Sequence, residues 1–212
     1  MTVSRLRRVS AAALVIIGIA LVLWVSLPAG RVAQEISYVY GQEISPPEEW
    51  VDLQIPPALT DGEIKVEYPG WIWLGDSGQI RMTLAERGAP PSCDAGDRPA
   101  DPFDLSGRLE LPGVLALPGS ELRQAVVDCR TALLAWTIEP ETSGDYSGTL
   151  WLRLLHTGIN DDSEQSLSMA AVPLEMSAGS LAGLSAPQAR VVGVLAVLIG
   201  LALNVDLVLR RE

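Results

Sequence analysis

Val191-Val-Gly-Val-Leu-Ala-Val-Leu-Ile-Gly-Leu-Ala-Leu-Asn-Val-Asp-Leu-Val-Leu209, closed by Arg210 and Arg211, sets the architecture of this chain. It is about as long as a helix must be to cross the hydrocarbon core of a bilayer. A second apolar run, 11–27, follows Arg5, Arg7 and Arg8 near the other end. With a span at each end, everything between them stands on one side of a membrane. The flanking arginines place both ends in the cytoplasm by the positive-inside tendency, and Arg31 and Arg190 on the outer flanks oppose it weakly.

A basic start followed by an apolar run also describes a secretory signal peptide. The run is longer than the usual apolar segment of such a leader, and Leu27-Pro28-Ala29 is a poor cleavage site, so a retained anchor is expected. Trp24 suits the outer interface. The resulting division is a tail at 1–10, a first transmembrane helix at 11–27, a Pro-rich stalk or edge segment at 28–62, and a β domain at 63–176. A flexible linker at 177–190, a second transmembrane helix at 191–209 and a tail at 210–212 complete it.

The 212 residues carry a net charge of −11, although both tails are basic. Between Arg31 and Arg190 acidic residues outnumber basic ones by more than two to one. A domain so charged repels nucleic acid and anionic lipid headgroups alike, and nucleic acid is excluded as a partner. Both cysteines, Cys93 and Cys129, fall in this middle part. Outside the cytoplasm the compartment permits a disulfide between them, and otherwise they stand as two thiols.

The middle reads as strands. Ile64, Val66 and Tyr68 alternate with Glu63, Lys65 and Glu67, the period of a half-buried strand. Trp71-Ile72-Trp73-Leu74, the turn Gly75-Asp76-Ser77-Gly78, and Ile80, Met82 and Leu84 together carry a hairpin signature. The segment 87–107, rich in Pro, Gly and Asp, reads as a long loop, and Leu109 and Leu111 as a short strand. Ala132, Leu134, Trp136 and Ile138 share the face of an inner strand within 125–138. Leu150, Leu152 and Leu154 follow, and then Leu167, Met169 and Ala171 on the way to Leu174. Short strands punctuated by turns point to an antiparallel sandwich.

Several of these segments resemble bacterial surface immunoglobulin-like modules: residues 75–84, 109–113, Trp136-Thr137-Ile138-Glu139-Pro140, and Ser143-Gly144-Asp145-Tyr146-Ser147-Gly148-Thr149-Leu150. The Ser-Gly-Asp-Tyr step is similar to the tyrosine-bearing corner before a late strand of that fold. No cysteine follows Tyr146 at the antibody spacing, so a Cys93–Cys129 bridge would tie a loop to a strand. The resemblance implies an adhesive or structural module and no catalytic residues. The expected fold is therefore mainly β, a single antiparallel immunoglobulin-like sandwich flanked by two transmembrane helices.

Little in the chain suggests chemistry. Gly75-Asp76-Ser77-Gly78 matches the nucleophile segment of trypsin-like proteases, but the one histidine, His156, follows the serine instead of preceding it. A lone histidine is seldom a zinc site. Asp94, Asp97, Asp101 and Asp104, and again Asp161, Asp162 and Glu164, read as solvated loop acids without the order of a calcium loop. No cofactor or metal is expected. Trp71 and Trp73 point the same way if extended, either as a platform for a glycan or partner, or as core. Gly193, Ala196, Gly200 and Asn204 line one face of the last helix and are expected to pack on 11–27 or on another subunit. Asp206, one turn before Arg210, is expected to pair with it, with a proton or ion pathway as the alternative. The functional expectation is a non-enzymatic envelope protein, a structural or protein-interaction accessory subunit binding another membrane protein. A glycan- or wall-binding module is the alternative.

Overall fold

The computed structural model describes residues 3–27, 30–39, 61–86, 103–126, 131–157 and 164–209, and every structural statement below concerns these. The cysteines, Trp50, Arg210 and the acids Asp94, Asp97, Asp101, Asp161 and Asp162 lie outside them, as does the proposed Cys93–Cys129 bridge.

The protein is mainly β, with two five-stranded sheets and a helix at each end. Helix α1 is Val3–Val25 and α2 is Ala186–Leu209. Sheet 1 joins β1 (Arg31–Val39), β2 (Asp61–Pro69), β4 (Gly78–Glu86), β8 (Thr131–Pro140) and β6 (Val114–Leu117), in that spatial order and all antiparallel. Sheet 2 runs β3 (Trp71–Trp73), β10 (Glu164–Gly179), β9 (Gly144–Thr157), β5 (Phe103–Glu110) and β7 (Glu121–Val126). Its β3 lies parallel to β10, so this sheet is mixed and not wholly antiparallel as the pattern alone suggested.

Alternation explains why the two sheets stack. Ile64, Val66, Ile80, Met82, Leu84, Leu134, Trp136 and Ile138 of sheet 1 are buried in one cluster with Phe103, Leu105, Leu150, Leu152, Leu154, Val172 and Leu174 of sheet 2. Each strand offers every second side chain to the core, as a sheet covered on one face requires. One close approach falls at Gly107 of β5. A Cβ there would lie 2.7 Å from Leu134 Cδ1 and 2.7 Å from Trp136 Cη2, so the Trp136 ring occupies the space a side chain would need.

Three local expectations are revised. The Gly75-Asp76-Ser77-Gly78 turn does not close a hairpin, because β3 pairs with β10 while β4 pairs with β2 and β8. The chain changes sheets at Gly70, between Pro69, which cannot donate to a further ladder bond, and Trp71. The parity of the last strand also flips. A bulge between Ser168 and Ala170 leaves Leu167 and Met169 half-buried, exposes Ala171, and buries Val172, Leu174 and Met176 instead. Phe103–Gly107, taken as loop, is the first part of β5, with Phe103 and Leu105 inward.

The boundaries of the domain move outward too. Arg31–Val39, part of the 28–62 segment, is the edge strand of sheet 1. The expected flexible linker at 177–190 is ordered structure: Ser177–Gly179 pair with Trp71–Trp73, Leu181 bridges to Leu184, and α2 begins at Ala186. Backbone pairing with β3 leaves no free length there.

The helices pack against each other in opposite directions, with Gly18 beside Gly193 and Ala11 beside Gly200. By length and composition Ala186–Asn204, of mean hydropathy 1.8, can cross a membrane, whereas the apolar part of α1, Val9–Val25, is shorter.

Candidate functional site

The most elaborate construction in the molecule lies where the sandwich meets the helices. It starts from the strand switch. Because β3 lies beside the end of β10, Leu74 N–H donates to Gly179 O at 2.7 Å, and Leu74 O accepts from Ala186 N–H at 2.8 Å. The first N–H of α2, which has no partner within its own helix, is thus satisfied by the sandwich. Ser185 and Gln188 complete the helix start: Ser185 N–H donates to Gln188 Oε1 at 3.0 Å, the reciprocal half of a capping box.

Arg190, one turn into α2, then reaches back. Its Nη1 and Nη2 donate to Asp76 Oδ1 and Oδ2 at 2.9 and 2.7 Å, a bidentate pair. Nη2 also donates to Val25 O at 3.4 Å, the last carbonyl of α1. A cation suits a helix C-terminus, and the Asp76 carboxylate offsets its placement near the N-terminus of the other helix. One side chain therefore ties together the loop after β3, the end of α1 and the start of α2. Beside it Val25, Trp73, Ala186 and Ala189 form a small buried cluster, flanked by Trp71, Leu181 and Leu184.

The tryptophans belong to this joint. Trp71 and Trp73 meet edge to face with centroids 4.4 Å apart. Trp73 is only 8% exposed, and its Nε1 finds no acceptor among the described residues. Trp71 lies over Gly179, where a Cβ would come within 2.8 Å of its ring. Trp73 is thus buried in the joint, and Trp71 is half-buried beside it.

The helix-face residues are placed as follows. A Cβ on Gly193 would lie 2.8 Å from Val22 Cγ2 and 2.9 Å from Gly18 O, and one on Gly200 would lie 2.8 Å from Ala11 O. Ala196 and Asn204 are half-buried. Both glycines thus let α1 approach closely. The side chain of Asp206 lies outside the described residues.

The protease-like residues are far apart. Ser77 sits at this joint, whereas His156 is near the other end of β9, in register with Phe103 and stacked on its ring at 5.0 Å between centroids. Asp145, at the joint end of β9, is eleven residues from His156, about 35 Å at a strand's rise. No acyl transfer joins groups so separated. Asp104 lies in β5, and no cluster of His, Cys, Asp or Glu suited to a metal exists among the described residues.

Sequence reading missed the Arg190–Asp76 pair, and residues 114 apart gave it no local sign. It also passed over Ser185-Ala186-Pro187-Gln188, whose capping spacing was open to view. No family model matches the chain, and no curated protein is similar to it.

Proposed function

We propose that α1 and α2 cross a bilayer together as an antiparallel pair, with both termini cytoplasmic and the sandwich held outside. There it acts as a non-enzymatic structural or protein-interaction accessory subunit for another membrane or envelope protein. The observation that carries this reading is the outer surface of the helix pair. Ile16, Ile17 and Leu23 of α1, and Val191, Leu195, Leu198 and Ile199 of α2, are all more than half exposed. An unbroken apolar surface of this kind is not stable in water and suits lipid or further helices. Val9–Val25 is at the short end of the spanning range, which calls for a thin or locally thinned bilayer.

The immunoglobulin-like reading has its own support. A short strand crosses from one sheet to lie parallel to the last strand. Tyr146, opening β9, hydrogen-bonds back to Thr142: its Oη accepts from Thr142 N–H at 3.1 Å and donates to Thr142 O. A tyrosine placed so is a mark of such sandwiches. The strand route departs at one point, since β6 joins sheet 1 before β7 joins sheet 2. Many domains of this class bind and brace other proteins.

Protease added to spheroplasts tests the placement. Digestion of the sandwich with protection of a tag after Glu212 is the expected result, and the opposite pattern overturns it. For the accessory role, the tagged chain extracted in mild detergent should run in a complex of fixed stoichiometry. Migration at its own mass under every mild condition would remove that role.

A further inference from the structure

The strand switch that builds the joint also leaves a gap in sheet 1. β2 parts from β4 after Glu67, its last residue in register with that strand, while it stays paired with β1 as far as Pro69. β1 begins at Arg31, opposite Pro69, and β4 runs from Gly78 past Arg81, which faces Glu67. Here opens a polar notch of about 460 Å³, lined by Arg31, Glu67, Pro69, Ser77, Gln79, Arg81 and Thr137. Pro69 forms a floor without a long side chain or an N–H.

Its charge differs from that of the rest of the domain. Among the described residues neither Arg31 nor Arg81 forms an ion pair. Arg81 Nε donates to Gln79 Oε1 at 2.9 Å, which orients the guanidinium without neutralising it. Glu67, its register partner, is held instead by Lys65 at 3.2 Å. The hydrogen bond and charge of Glu67, with the charge of Glu35, raise the Lys65 ammonium above its usual range. Two guanidinium forks and the hydroxyls of Ser77 and Thr137 line one space as donors, with the Lys65-paired Glu67 carboxylate beside them. That set matches the oxygens of a phosphoryl group.

Its position suggests how the anion arrives. Ser77 adjoins Asp76, which is bonded to Arg190 of α2, and Arg31 follows α1 by only six residues. On a chain of net charge −11, two arginines cannot draw an anion from a distance, so they act on one presented locally.

We propose that this notch binds a phosphate-bearing anion, supplied by the headgroup of a lipid in the leaflet beneath the sandwich. The lipid source rests on the membrane reading above; the anion chemistry does not. In the full chain, Arg31→Gln with Arg81→Gln removes both forks, and thermal melting is the control for folding, since both positions are on the surface. Native mass spectrometry from nanodiscs then compares phosphatidylglycerol with a phosphate-free glycosyl diacylglycerol. The wild type should retain the phospholipid about tenfold more than the glycolipid, and the double variant should lose that preference. Equal retention by wild type and variant overturns the lipid source. Phosphorus NMR with inorganic phosphate provides the second arm: binding that only the variant lacks, without lipid discrimination, assigns the notch to a soluble phosphate, and no binding in either arm overturns the site. Alkaline extraction of the wild type separately judges the membrane reading. A chain that washes off while still binding phosphate has lost its lipid, not its site.

Discussion

The protein has two buried clusters built in different ways. The core between the sheets draws on eight or more strands and is filled by Trp136, Phe103 and rows of Leu, Ile and Met. The joint buries only Val25, Trp73, Ala186 and Ala189, and its polar links are the Arg190 contacts and the Ala186 N–H to Leu74 O bond. A large cluster with many contributors sets whether the domain folds. A small one with few polar links sets how the domain is held on its helices. Stability and orientation are therefore separable in this molecule, and mutations in the two regions should have different readouts.

Trp136→Ala is the strongest test. It empties the space above Gly107 and should cost about 3–5 kcal/mol in denaturant unfolding of the whole chain in detergent. A loss below about 1 kcal/mol would mean that the core is not what holds the sandwich. Gly193→Leu comes next. A side chain there meets Val22 and the backbone of Gly18, and the overpacking should weaken the helix pair by about 1–3 kcal/mol. Cross-linking between α1 and α2 reads that loss, while unfolding of the sandwich should stay unchanged. If the sandwich melts earlier as well, the two regions are not separable.

Tyr146→Phe tests the boundary between them. Tyr146 is at the joint end of β9, yet it belongs to the core cluster and its hydroxyl is bound to Thr142. Its loss should cost about 1 kcal/mol in unfolding and leave the helix contacts as they were. An effect on the helices would move the tyrosine from the core to the joint.

The difference between the regions also explains what could be read from the chain. Each sheet has one covered face, so period-two patterns such as Ile64, Val66 and Tyr68, or Ala132 through Ile138, identified core strands directly. Pairing partners were not legible. Trp71–Trp73 next to Gly75-Asp76-Ser77-Gly78 has every local mark of a hairpin arm, and only the end of β10, a hundred residues on, decides that it pairs there. The bulge near Ser168 is silent for the same reason, since one extra residue reverses a face without changing composition. The joint was the least legible part. Its residues come from α1, the loop after β3 and α2, and Arg190 gave only a charge that ran against the positive-inside tendency.

Asp76→Asn should give the smallest effect on stability and the most specific one. The ion pair is partly exposed, with side-chain accessibilities of 40% for Arg190 and 28% for Asp76. Pairs of that exposure contribute about 0.5 kcal/mol, so unfolding should barely move. Amide exchange at Ala186, whose N–H reaches Leu74 O across the joint, should accelerate about two- to threefold, because local opening there no longer has to break the arginine bridge. Arg190→Gln should do the same, with a further loss at the end of α1 through Val25 O. Since both changes remove one interaction, the double variant should exchange no faster than Arg190→Gln alone. Additive rates would show that the two residues act apart, leaving the tryptophans to hold the joint and removing the polar bridge as the reason the sandwich stands at a fixed angle to its helices.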